Sequence, residues 1–190
     1  MKNEIEILFF DIDKNSLREK LHTVGAKKVY DEFLQKRVVF DFGQKGDVFS
    51  WLRVRQEKDK TVMTYKETAK NDFAKELEVV VSDFEDTVSL LSLSGVTPSS
   101  YQENYREKYT YNNSEIVIDI WPWLQPVIEV ESPSEEILQQ IVKALELDQN
   151  NSFKGSINNV YKLKFGKSIQ DLTKEQQMNF RFGEENQFLV

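Results

Sequence analysis

Two hydrophobic periods alternate along this chain. Between Lys14 and Val24, the apolar residues Leu17, Leu21 and Val24 recur at helical spacing, and Gly25 follows as a stop. Ser82 to Glu85 reads as a capping box opening a helix that carries Val88 and Leu91 and ends at Gly95. Ser132 to Glu135 reads as a second box, with Pro133 at the first helical position and Ile137, Leu138, Ile141, Val142 and Leu145 along one face. A fourth helix is expected from Ser156 to Phe165, stopping at Gly166, and a short fifth from Thr173 to Asn179. Elsewhere the period drops to two, which predicts strands over 3–10, 26–32, 34–42, 48–57, 61–67, 74–82, 101–111, 114–121 and 126–131. Strand runs interrupted by single helices predict an α+β fold with an antiparallel sheet rather than a βαβ repeat. Seven to nine strands of this length are expected to close into a barrel, which removes exposed edges.

Composition narrows the chemistry. The chain has 190 residues, no Cys and one His. That excludes a disulfide framework, a thiolate metal site and a Cys nucleophile, and leaves little room for zinc. A net charge of −7 argues against nucleic acid and anionic membranes, which need a basic footprint. The opening MKNEIEILFF has acids within its apolar run, unlike a signal peptide. No apolar run approaches the ~18 residues of a membrane span. A soluble, cytoplasmic protein is therefore expected.

The arrangement of charge is more informative than its sum. Glu4 and Glu6 share one face of the first strand, Glu76 and Glu78 one face of a later strand, and Glu129 and Glu131 one face of the last. Arg53 and Arg55 form a basic counterpart; Arg106 and Lys108 share a face, Lys66 lies beside Thr64, and Asp119 sits between Ile118 and Ile120. A solvated strand face normally mixes charges, because neighbouring like charges repel. Acids paired with acids and bases with bases suit a face that meets external charge. Carboxylates without His or Cys suit Mg²⁺ or Mn²⁺, and Arg and Lys suit phosphate oxygens. Together they are the equipment of phosphoryl or nucleotidyl transfer.

In order, the segments EIEILFFDID, WLRVRQEKDKTVMTYKE, KELEVVVSDFEDTVSLL and IDIWPWLQPVIEVE resemble the motifs of the CYTH superfamily, the triphosphate tunnel metalloenzymes, and within it the class IV adenylyl cyclase-like branch. The resemblance covers about residues 3–172. It implies an eight-stranded antiparallel tunnel with helices packed outside, occupying residues 1–172. Residues 173–190, aromatic and mixed in charge, read as a C-terminal tail that docks on the domain, docks on a second subunit of a homodimer, or frays. The resemblance implies that Arg37, Arg53, Arg55, Lys66, Arg106 and Lys108 bind the triphosphate. Glu4, Glu6, Glu129, Glu131 and Asp119 would hold Mg²⁺ or Mn²⁺, with Glu76 and Glu78 as supporting acids. Glu4, Glu6 and Lys66 would be the catalytic residues. The implied substrates are ATP, cyclised to cyclic AMP and pyrophosphate, or tripolyphosphate or thiamine triphosphate, hydrolysed.

The sequence departs from the family pattern at position 8, where the first motif ends in Lys and this chain has Leu8. Asn104 and Tyr105 also stand where a Lys often precedes the Arg106 position. These losses support a second reading, a non-catalytic module that binds a phosphorylated ligand. A barrel carrying an apolar ligand would need apolar inner residues, against the alternation seen. His22 is expected at the surface or in packing rather than as a general base, Asp11 and Asp13 as helix caps, and Trp51, Trp121 and Trp123 in packing or at a rim.

Overall fold

Alternation at period two becomes nine strands in a computed structural model, which describes residues 5–69 and 75–190. The strands are β1 (Ile5–Phe9), β2 (Lys27–Lys45), β3 (Val48–Gln56), β4 (Thr61–Ala69), β5 (Lys75–Val81), β6 (Ser100–Tyr111), β7 (Ser114–Ile120), β8 (Val127–Ser132) and β9 (Ser152–Phe153). Five helices accompany them: α1 (Lys14–Thr23), α2 (Phe84–Leu93), α3 (Glu135–Ala144), α4 (Ile157–Phe165) and α5 (Lys174–Met178). The hydrogen-bonded order is β5-β4-β3-β2-β6-β7-β8-β1-β9, and the ladders that pair these strands are antiparallel.

The α+β class is as expected, but the eight-stranded closed barrel is not. Among the described residues the sheet is open, with β5 and β9 at its ends. β9 is only two residues long and pairs with β1. β5 is exposed over nearly its whole length and carries Lys75, Glu76 and Glu78, charges of the kind that protect an edge strand from further pairing.

The chain gathers into two compact units. One comprises Met1–Leu34 and Asn104–Asp171 with Leu189; the other comprises Gln35–Glu103 and Leu172–Phe188 with Val190. In the first, alternate residues of β1, β6, β7 and β8 (Phe9, Tyr109, Ile116, Ile118, Ile128 and Val130) pack with Leu17 and Leu21 of α1 and Leu138, Ile141 and Val142 of α3. In the second, Val38, Phe40 and Val54 pack with Phe84 of α2, flanked by Leu52, Met63, Val88 and Leu91. Burying one face of each sheet segment directs the alternate residues to the other.

Helix boundaries differ in detail from expectation. Asp13 caps α1, accepting from Ser16 N at 2.9 Å, while Asp11 pairs with Lys164 at 2.5 Å. Asp83, not Ser82, caps α2. Ser134 rather than Ser132 caps α3, because Ser132 is still in β8, with its hydroxyl 2.8 Å from that of Ser114. Thr173 and Gln176 form the capping box of α5. Gly25 and Gly166 take positive φ, 77° and 75°, a conformation that costs glycine no Cβ clash. The strands expected over 26–32 and 34–42 are one strand, β2. In the tail, Phe180 is fully buried and its carbonyl accepts from Glu103 N at 3.1 Å, so these residues dock within their own unit. No helix of the described residues is long and apolar enough to cross a membrane.

Candidate functional site

In the second unit, the face of β2, β3, β4 and β5 opposite the Val38–Phe40–Val54 core carries charge in successive rungs. Arg37, Arg55, Val62 and Val80 stand opposite one another in the first rung. Val39, Arg53, Thr64 and Glu78 form the second, and Asp41, Trp51, Lys66 and Glu76 the third. Four cations that the sequence marked, Arg37, Arg53, Arg55 and Lys66, therefore share one face, with Glu76 and Glu78 beside them. Two arginines directly opposite each other repel, an arrangement suited to an anion between them.

Each of these side chains is held. Arg37 donates from Nη2 to Gln35 Oε1 at 2.7 Å, and both residues are buried. Arg55 pairs with Glu57, Lys66 Nζ lies 2.7 Å from Glu76 Oε2, and the Thr64 hydroxyl donates to Glu78 at 3.2 Å. Burial works against the ionised Glu57, but the Arg55 guanidinium, aided by Lys60, holds its carboxyl below the usual carboxylate range. The Nε of Arg55 is buried and has no hydrogen-bond partner among the described residues.

In the first unit, the face opposite the Ile116–Ile118–Ile128 core carries the acids. Asp119, fully buried, accepts from Arg106 Nε at 2.8 Å and Nη2 at 2.5 Å, and from Asn104 Nδ2 at 2.9 Å. Arg106 also reaches Glu129 at 3.3 Å. Burial would lower the Arg106 pKa, but the charges of Asp119 and Glu129 raise it above its ordinary value. Glu131 stands opposite both Glu6 and Glu115 in the β1–β8–β7 ladders, and Lys108 Nζ lies 2.6 Å from Glu115. Leu8 occupies the position opposite Glu129 on this same face and is fully buried. Glu4 lies outside the described residues.

The donors of this face fit Mg²⁺ or Mn²⁺ in kind, being carboxylate oxygens without His or Cys. Among the described residues, no group of three or more Asp, Glu or His side chains is gathered closely enough to hold a metal ion. Asp119, expected among the metal ligands, is engaged with Arg106 and Asn104. The partners Gln35, Glu57, Asn104 and Glu115 were not among the sequence candidates. Glu57 was within reach of that reasoning, since it continues the Arg53–Arg55 alternation by one step. His22 is exposed on α1, as expected, and Trp121 is buried.

The CYTH domain model matches residues 3–160. The chain belongs to the CYTH domain family. No curated protein matches the sequence. Solved structures do. PH1012 from Pyrococcus horikoshii OT3 is 23% identical, with a TM-score of 0.63 over 80% of this chain and 96% of that one. An adenylate cyclase candidate from Vibrio parahaemolyticus is 11% identical, with a TM-score of 0.65 over 84% and 97%. HpAC1 from Hippeastrum, an adenylyl cyclase candidate with a dominant triphosphatase activity, is 15% identical, with a TM-score of 0.51 over 86% and 95%. At these identities the likeness is one of fold. Glu6 and Leu8 lie on one face of β1.

Proposed function

We propose that this CYTH protein is a divalent-metal-dependent enzyme acting on a small-molecule triphosphate. The observation that carries the reading is the rung in which Arg37 faces Arg55, followed by rungs bearing Arg53 and Lys66. Fixed, forked donors at successive positions suit a chain of phosphates. Phosphate binding falls to these four residues; Arg106 and Lys108, assigned to phosphate by the family resemblance, are engaged with Asp119 and Glu115. Glu6, Glu129 and Glu131, with Glu4 and Asp119, are the residues that would hold Mg²⁺ or Mn²⁺. The cation would neutralise charge developing on the transferred phosphoryl group.

The reaction is hydrolysis, in which water attacks the terminal phosphorus and the bond to the bridging oxygen breaks. In the related cyclisation of ATP, the ribose 3′-hydroxyl attacks the α-phosphorus and pyrophosphate leaves. Incubating the protein with Mg²⁺ or Mn²⁺ and tripolyphosphate, ATP or thiamine triphosphate separates the two. Orthophosphate without cyclic AMP is the expected product; cyclic AMP with pyrophosphate would make the protein a cyclase.

A second reading is favoured by Leu8, a fully buried apolar residue where the family motif has Lys. On that reading the protein binds a phosphorylated ligand without turnover. Measurable tripolyphosphate binding with no product from any substrate would establish it.

A further inference from the structure

The cations at the two ends of the basic ladder each have an internal anion. Arg55 is closed onto Glu57, which Lys60 also approaches at 3.5 Å. Lys66 is closed onto Glu76 at 2.7 Å. Arg37, in the same rung as Arg55, donates to the amide oxygen of Gln35. The side chains of both ion pairs keep contact with solvent: Arg55 and Glu57 are 16% and 25% exposed, Lys66 and Glu76 26% and 41%. Each pair is partly buried, so opening it costs stability unless another anion takes the carboxylate's place. The carboxylates occupy the donors that a phosphate oxygen would use.

We propose, resting on the triphosphate reading above, that Glu57 and Glu76 are built-in competitors of the phosphate chain. Each carboxylate occupies its cation while the site is empty, is displaced by a phosphate oxygen on binding, and closes again as the phosphate departs. Their effect is to limit affinity, so that a ligand making one contact gains little and product leaves. The two pairs belong to the first and third rungs, separated by roughly 13 Å of strand at about 3.3 Å per residue. That exceeds the span of a tripolyphosphate, so the long Arg55 and Lys66 side chains must converge on it from either end; each then meets a different phosphate, and their effects multiply. The buried Nε of Arg55, which has no acceptor among the described residues, is a donor for the incoming oxygen while Glu57 still holds Nη2.

A purely positioning role makes the opposite prediction. If the carboxylates served only to orient Arg55 and Lys66, removing them would loosen the cations and weaken binding. Calorimetric titration of tripolyphosphate and orthophosphate in metal-free buffer with EDTA decides between the two roles. Glu57→Gln and Glu76→Gln are each expected to tighten tripolyphosphate binding about tenfold, and the double variant about a hundredfold, since removing a competing charged hydrogen bond acts on that scale. Orthophosphate, which engages one rung, gains no more than about tenfold in the double variant. Glu67→Gln is the control for net charge. It removes the same charge, but Glu67 pairs with Lys75 and lies on the face bearing Tyr65 and Leu77. Tightening equal to that in Glu67→Gln, or weaker binding in the two test variants, overturns the competitor role. Absence of tripolyphosphate binding in the wild type and in every variant, in a parallel titration with Mg²⁺ as well as without metal, overturns the triphosphate reading itself.

Discussion

Arg37 and Arg55 stand directly opposite each other across β2 and β3, on the face turned away from the Val38–Val54 core. Like charges in this relation cost stability, a cost that the Arg55–Glu57 ion pair offsets only in part. An anion between them offsets the repulsion. Arg55→Gln relieves that repulsion but leaves Glu57 without its guanidinium, so the ligand-free melting temperature is expected to fall only modestly. It should weaken tripolyphosphate binding between about tenfold and a hundredfold, the scale of a charged hydrogen bond. Thermal melts with and without tripolyphosphate, together with calorimetry, check both halves. A large loss of ligand-free stability would mean that Arg55 serves the fold.

Asp119 is in the reverse situation. It is fully buried and takes two hydrogen bonds from Arg106 and one from Asn104. Removing its charge leaves a mostly buried guanidinium facing Glu129 at 3.3 Å. Asp119→Asn is expected to cost about 3 kcal/mol, in the range for breaking a buried pair. Urea unfolding measures it. A cost near zero would mean that Asp119 is a ligand-binding acid first and a structural partner second.

Much of this was legible because residues at i and i+2 share a strand face whatever the tertiary structure. Glu129 with Glu131, Arg53 with Arg55, and the apolar residues between them could be assigned to faces before any pairing was known. Register could not. That Arg37 faces Arg55, or that Glu131 faces both Glu6 and Glu115, depends on which strands meet and where each ladder begins. β9 has two residues and no alternation to detect. Closure of the sheet was inferred from the cost of exposed edges, yet β5 manages its edge with charge instead. Ser132 mimicked a helix cap because the capping pattern does not register that β8 continues through it. Asp119 looked like one more acid of the metal set, since its side-chain partner Asn104 is fifteen positions away and uncharged.

On the opposite face of β6, Glu107 is fully buried. It accepts from Arg18 at 2.9 and 2.6 Å and from Tyr109 at 2.5 Å, and it lies 2.9 Å from Lys28. Burial would raise this carboxyl, but the hydrogen bonds from Arg18, Tyr109 and Lys28 outweigh it and hold it below the usual range. A folded-state value below the unfolded one adds stability at pH above the unfolded value, about 4.3. That stability is lost as pH falls through the lower folded value. Stability is therefore expected to drop steeply below about pH 4.3, and Glu107→Gln should flatten that part of the profile while lowering stability at neutral pH. Urea midpoints from acid to neutral pH read this directly. Parallel profiles for wild type and variant would remove Glu107 from the acid transition.

Leu8 is the position at which family pattern and structure can be set against each other most sharply. It lies on the acidic face, opposite Glu129, with Phe153 of β9 opposite on its other side. A lysine there would find Glu129 as a counter-charge but would place an ammonium where the native side chain is fully buried. Desolvating that charge costs stability unless the pairing is good, whereas a cation near a triphosphate adds transition-state stabilisation. Leu8→Lys is therefore expected to melt at a lower temperature than the wild type and to hydrolyse tripolyphosphate faster. If turnover is unchanged while stability falls, Leu8 is a packing residue and the missing lysine is not what limits catalysis. If turnover appears only in the variant, the native chain is the non-catalytic binder. Orthophosphate release measured at a temperature well below both melting points separates these outcomes.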